Sequence, residues 1–276
     1  MQQNSNSTCD NEKNSGCGHE GNTGIEKLTG NEFSNIRIVI AVMSGKGGVG
    51  KSSITSILAC EYRKKGYLVG VLDADITGPS LPKMFGIKSG VKSNGSALLP
   101  SISDNGIRVM SLNLLTSNED DPVIWRGPVI SGTVKQFWTD VAWGDLDYLF
   151  VDLPPGTGDV PLTVMQSLPL NGLIVVSSPQ DLAVMIVSKA IKMAQYMNIP
   201  ILGLVENMSG AVCPHCGEAF QLFGPSRGEE IARKFQIPYI GGLPVDPIFS
   251  KLCDQGKIEE YDSNLFANFI PKNMGV

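Results

Sequence analysis

Ser44-Gly45-Lys46-Gly47-Gly48-Val49-Gly50-Lys51-Ser52-Ser53 decides how the rest of this 276-residue chain reads. From Gly45 to Ser52 the spacing is G-x-x-x-x-G-K-S, the phosphate-binding loop. That pattern carries meaning only between a strand and a helix, and both flank it. The apolar run Ile36-Arg37-Ile38-Val39-Ile40-Ala41-Val42-Met43 predicts a buried strand, and a helical pattern begins at Ser53. Triphosphate concentrates negative charge, so successive backbone N–H groups must converge on it. Residues without Cβ let the chain come that close. Gly45, Gly47, Gly48 and Gly50 supply this freedom around Val49. Lys51 would neutralise the β- and γ-phosphates, the Ser52 hydroxyl would ligate Mg²⁺, and the helix opening at Ser53 adds its positive dipole end.

Composition narrows the classes. Charged residues make up 18% of the chain and the net charge is −5, without a cationic cluster, which argues against nucleic acid as a partner. No apolar run approaches the roughly 20 residues of a membrane span. Met1 to Gly24 has no apolar core for a secretory signal, so a cytoplasmic address is expected. The first stretch is polar and too poor in apolar residues to offset its ordering entropy. A disordered tail over residues 1–30, carrying Cys9 and Cys17, is therefore expected before a single domain over 31–276.

The remaining motifs fall at strand ends. Tyr67 to Leu72 reads as a second strand ending in Asp73-Ala74-Asp75, and with the first strand and helix it makes a βαβ unit with parallel strands. Carboxylates at such ends sit where ligands bind in open α/β sheets. Residues 88–106 read as a surface excursion and Ile107 to Leu115 as a strand. A helix runs on through Phe137 and Val141. Leu146 to Asp152 is an apolar strand delivering a carboxylate toward Mg²⁺, a Walker-B arrangement. The loop after it, Leu153 to Asp159, places Gly156 to offer an N–H to a γ-phosphate and to rearrange when that phosphate leaves. Leu173 to Ser178 and Ile201 to Val205 are further strands around a helix from Leu182 to Met197. The fold class expected is α/β: a three-layer P-loop NTPase with a mostly parallel central sheet and helices on both faces.

Cys213-Pro214-His215-Cys216-Gly217 stands apart from these. Two thiolates in a Gly/Pro turn can share one metal ion or cluster, yet a tetrahedral or four-iron site needs four. A symmetric dimer would supply the other two. Zinc on the same four thiolates, as in half a zinc ribbon, and a redox dithiol remain open. Cys60 and Cys253 read as buried structural thiols.

Three runs resemble one family. G-K-G-G-V-G-K-S at 45–52 looks like the deviant phosphate loop of the MinD/Mrp group of ATPases, which includes the nitrogenase iron protein and the arsenite-pump ATPase. D-A-D-I-T-G-P-S at 73–80 and W-R-G-P at 125–128 narrow the likeness to its Mrp-type iron–sulfur carriers, over about residues 34–260. The resemblance implies that Lys46 reaches across a homodimer to the partner's nucleotide. It implies that Asp75 positions or deprotonates the attacking water and that Asp73 supports the Mg²⁺ shell. Asn207, Pro244 and Asp246 would read adenine, and Cys213 and Cys216 would bridge a [4Fe–4S] cluster between subunits for transfer to apo iron–sulfur proteins. Some eukaryotic relatives carry a four-cysteine N-terminal site, which Cys9 and Cys17 do not complete. Two other classes stay in view. A MinD-like positioning ATPase would need a C-terminal membrane helix, for which Leu265, Phe266, Phe269 and Ile270 offer a face with only Lys272 as a cation nearby. A non-catalytic cluster or zinc scaffold would bind without turnover.

Overall fold

The computed structural model describes residues 27–75, 81–88, 90–115, 127–213 and 215–269. Cys9, Cys17, residues 76–80, Trp125, Arg126, Pro214, Ile270 and Lys272 lie outside them. In chain order the elements are β1 (Ser34–Ser44), α1 (Lys51–Lys64), β2 (Val69–Asp73), α2 (Leu81–Met84), β3 (Lys92–Ser93), β4 (Leu98–Leu99), β5 (Ser101–Ile102) and β6 (Arg108–Ser111). Then come α3 (Gly127–Thr139), β7 (Gly144–Asp152), α4 (Asp159–Ser167), β8 (Gly172–Ser177), α5 (Asp181–Tyr196), β9 (Ile201–Val212), β10 (Ala219–Phe220), α6 (Gly228–Phe235), β11 (Tyr239–Val245) and α7 (Pro247–Gln255).

The β1 run is apolar without a gap because both of its faces are covered, the signature of a central parallel strand. Val39, Ala41 and Met43 enter one core with residues of α3, α4, α5 and α6, whereas Ile40 and Val42 enter the other with α1, α2 and α7. Three layers result. The sheet order is β10-β9-β8-β1-β7-β2-β6-β5, with β11 on β9, and its pairings are parallel except at β5–β6 and β10–β9. Parallel strands align their carboxyl ends, so the phosphate loop after β1, Asp73 after β2 and Asp152 after β7 meet at one edge.

Several boundaries differ from the sequence reading. Helix α1 starts at Lys51 rather than Ser53, because Gly50 in a left-handed conformation turns the chain directly into it. The strand expected over 107–115 is extended only at Arg108–Ser111, then tightens into a 3₁₀ turn at Leu112–Leu115. The excursion at 88–106 contains the β3–β4 pair and β5. Lys27 to Gly30, grouped with the polar tail, is tied to the domain: Leu28 N–H donates to Ser167 O at 2.8 Å and its carbonyl accepts from Trp138 Nε1 at 3.1 Å.

Helix α1 also holds the C-terminal segment. Lys65 Nζ donates to the Phe266 and Ala267 carbonyls, Glu61 Oε2 accepts the Phe266 N–H at 3.0 Å, and Tyr62 OH donates to Phe269 O. Phe266 is buried, and Leu265 and Phe269 pack against the same core, so these apolar side chains face inward. Among the described residues no helix is long and apolar enough to cross a membrane.

Candidate functional site

The phosphate loop closes on its neighbours. Gly48 and Gly50 have φ of 80° and 77°, a region in which an L side chain is strained. A Cβ at Gly50 would stand 2.0 Å from Asn207 Nδ2, and one at Gly45 would stand 2.2 Å from Ile186 Cγ2 and under 3 Å from the Ile186 backbone. Gly47 and Gly48 instead face open space or ordinary contact, where a phosphate could approach. Helix α1 begins with no acidic residue in its first turn and no side-chain cap, leaving its first N–H groups, including that of Ser53, for an anion.

Lys51 is buried with its Nζ 2.8 Å from Asp152 Oδ2 and 3.3 Å from Asp75 Oδ2. An ammonium has three N–H donors, so two carboxylates on one side leave capacity for a phosphate oxygen. Burial alone would depress its pKa, but Asp152 and Asp75 outweigh that and hold it above the usual lysine range. Asp152 is fully buried: Oδ2 also accepts from Ser52 Oγ at 2.5 Å, and Thr55 Oγ1 stands 2.8 Å from Oδ1. Asp73, paired in register with Asp152, accepts from Ser111 Oγ at 2.9 Å and from the Asp75 N–H at 3.0 Å. Desolvation, then the charge of Asp152, pushes Asp73 well above the ordinary carboxylate range. Three aspartates around one lysine leave local negative charge in excess, and the candidate ligand atoms there are hard oxygens. That set fits Mg²⁺, which takes one or two carboxylates with phosphate oxygens and waters. Among the described residues no group of three His, Cys, Asp or Glu side chains is gathered to hold a metal alone.

Two expected contacts are otherwise engaged. Gly156, at φ 87°, donates its N–H to the Ser44 carbonyl at 2.8 Å, because the turn after β7 closes against the end of β1. Reaching a γ-phosphate requires that bond to exchange. The exposed Lys46 Nζ donates to Gln180 Oε1 at 3.0 Å within the same chain.

On the other flank, Asn207 lies in β9 and donates from Nδ2 to the Val49 carbonyl at 2.9 Å, joining that strand to the phosphate loop. Leu243 of β11 pairs with Asn207, which brings the exposed Pro244 alongside. Asp246 caps α7 through the Ile248 N–H at 2.8 Å and accepts from Tyr261 OH at 3.0 Å. Glu206 accepts from the Arg227 N–H and Ser226 hydroxyl, anchoring the start of α6.

Strand β9 runs seven residues beyond the end expected for it and finishes at Val212, so Cys213 follows directly. Cys213 N–H donates to Glu218 O and Gly217 N–H to Cys213 O, both at 2.9 Å, forming a compact turn with Cys216 and His215 exposed. Backbone N–H groups of Cys216 and His215 point at the Cys213 sulfur and lower its pKa. Burial pushes Cys253 up to about 11 and Cys60 higher still. Alkylation of the native protein near neutral pH is therefore expected at Cys213 and Cys216 well before Cys60 or Cys253, with the Cys213 rate levelling off below the pH at which an ordinary thiol does. Peptide-resolved labelling across pH checks this; labelling of Cys60 first would refute it.

Thr55 and Ser111 were not identified from sequence. Thr55 had a signal, lying one helical turn after Lys51 on the same face; Ser111 had none, since its contact depends on the β2–β6 register.

Comparison with known proteins supplies the family. The family model ParA, described as NUBPL iron-transfer P-loop NTPase, matches residues 35–271. A protein of Clostridium perfringens named iron-sulfur cluster carrier protein is 46% identical over 257 residues, covering 90% of this chain and 89% of its own. A Kluyveromyces lactis protein named cytosolic Fe-S cluster assembly factor CFD1 is 43% identical, covering 81% and 82%. Among solved structures, a nucleotide-binding protein of Archaeoglobus fulgidus in complex with ADP is similar with a TM-score of 0.76 and 47% identity, covering 85% of this chain and 93% of that one. The cell division ATPase MinD of Pyrococcus furiosus, at 18% identity and a TM-score of 0.60 over 82% of this chain and 91% of its own, shares the fold. The chain thus belongs to the NUBPL iron-transfer P-loop NTPase family.

Proposed function

We propose that this chain is a cytoplasmic, ATP-dependent iron–sulfur carrier. Its cargo, a [4Fe–4S] cluster, lies between two copies of the chain, held by Cys213 and Cys216 of each, and is passed to apo iron–sulfur proteins. The observation that carries this reading is the strand β9, which joins the phosphate loop through Asn207 and ends in an accessible thiol pair, one member of it stabilised as thiolate. Two thiolates are half of a four-ligand set, and an isologous contact completes it.

In this reading the loop N–H groups and Lys51 grip the triphosphate, and Asn207, Pro244 and Asp246 hold the adenine. Ser52 and Asp152, with Asp73 behind them, would hold Mg²⁺. When bound, that ion draws charge from the β- and γ-phosphates. Asp75, beside Lys51, orients the attacking water or takes its proton. Lys46 leaves Gln180 to reach the partner's nucleotide, and Gly156 leaves Ser44 when a γ-phosphate is present. Both exchanges break internal bonds, consistent with slow hydrolysis and with two arrangements of differing cargo affinity.

Anaerobic reconstitution with iron and sulfide, followed by absorption spectroscopy and size measurement, tests it. Wild type is expected as a coloured dimer holding about four irons per two chains, and Cys213→Ser/Cys216→Ser is expected to hold none. Equal iron in both proteins, a strictly monomeric loaded form, or a colourless zinc-bound dimer would overturn the reading.

A further inference from the structure

Three described residues other than glycine have positive φ. Asn198 and Gln236 follow the last turns of α5 and α6, where a left-handed residue terminates a helix. Met208, at φ 58°, lies inside a strand, where no such local reason exists. The pairing of β9 with β11 breaks at the same place. Leu243 faces Asn207 and Val245 faces Ala211, so two steps on one strand answer four on the other.

This bulge divides β9. Before it, Asn207 donates to Val49 of the phosphate loop. After it, Ala211 and Val212 pair again with Phe220 and Ala219, and Cys213 N–H donates to Glu218 O. The bulge therefore sets where the second half of the strand resumes pairing, and a one-residue change of register turns side chains to the opposite face.

We propose that Met208 is a two-state hinge that couples nucleotide at the phosphate loop to the presentation of Cys213 and Cys216. The proposal rests on the reading that nucleotide binds at the loop and cargo at the thiols. An L-residue in the left-handed region is disfavoured by a population factor of about 5–30, and an arrangement with Met208 relaxed is favoured by that factor relative to one built on an unstrained residue. Asn207 is the adjacent residue and touches the loop, so a shift of the loop on nucleotide binding biases the two arrangements differently.

The test uses cluster-free full-length protein and iodoacetamide labelling of Cys213 and Cys216, resolved by peptide mass spectrometry. Labelling is measured without nucleotide, with Mg²⁺-ADP and with a non-hydrolysable ATP analogue, and affinity for a fluorescent ADP is measured in parallel. In wild type the labelling rates are expected to differ about fivefold or more between the nucleotide-free and analogue-bound forms. Met208→Gly and Met208→Asn both tolerate positive φ, hold the bulge without penalty, and are expected to reduce that ratio below about twofold while still binding ADP, with an affinity change no larger than the lost coupling. Met208→Ala keeps a Cβ and with it the strain, so it is expected to retain the wild-type ratio. A wild-type ratio persisting in both tolerant variants, or nucleotide-saturated wild type labelling at the nucleotide-free rate, would overturn the hinge while leaving the carrier reading intact. Failure of wild type to bind nucleotide would remove both.

Discussion

Lys51→Met is expected to lose nucleotide binding by about 100-fold or more and to destabilise the empty protein by roughly 3–5 kcal/mol. The first effect follows from removing the buried ammonium at the helix start, the positive charge placed to meet the phosphates. The second follows from its ion pairs: it stands 2.8 Å from Asp152, a carboxylate with no solvent exposure, and 3.3 Å from Asp75. Removing one partner of a buried pair leaves the other charge uncompensated. The sign with pH is fixed by Asp73. Its pKa is raised by burial and by Asp152, and Lys51 opposes that rise. A carboxyl raised in the folded state holds its proton after the unfolded chain has released it, so stability falls as pH climbs from the ordinary carboxylate value through the raised one. Without Lys51 that window widens. Urea unfolding at about pH 5 and about pH 9 is expected to show a larger deficit at the alkaline end. A deficit independent of pH would refute the electrostatic account.

Gly50→Ala is the second large effect. The left-handed conformation costs an L-residue roughly 1–2 kcal/mol, and the new Cβ would sit 2.0 Å from Asn207 Nδ2. Either the loop or the asparagine must move, and the bond to Val49 O breaks. Gly48→Ala provides the contrast: the same sign of φ, but nothing within 4 Å of its added Cβ. Thermal unfolding of the empty protein is expected to rank Gly50→Ala below Gly48→Ala. Adding Asn207→Ala to Gly50→Ala removes the collision but not the strain, so the two changes are expected to be non-additive by about 0.5–3 kcal/mol. Simple additivity would mean that the asparagine does not press on the loop.

Local chemistry explains which features could be read beforehand. The phosphate loop, the strand ahead of it and the strand ending in Asp152 are each set by residue types that only one structure accommodates: glycines where the chain turns left-handed, and unbroken apolar runs where both faces are covered. Lys51, Ser52, Asp73, Asp75 and Asp152 accordingly converge. Features decided by distant pairing could not be read. Strand β9 continues past Val205 because β11 and β10 offer partners, and its bulge depends on their register. The bonds of Gly156 to Ser44 and Lys46 to Gln180 are likewise tertiary, so the sequence carried no sign of the partners these groups hold in the empty protein.

The central strand has its partners far downstream. β1 lies between β7 and β8, and Ser52 at its loop is 100 positions from the Asp152 that receives it. At a synthesis rate of roughly 5–20 residues per second, about 5–20 s pass after β1 leaves the ribosome before β7 exists to pair with it. During that interval β1 has two open edges and only α1 to cover one of its faces, so early β1 is the stretch of nascent chain most exposed to wrong pairing.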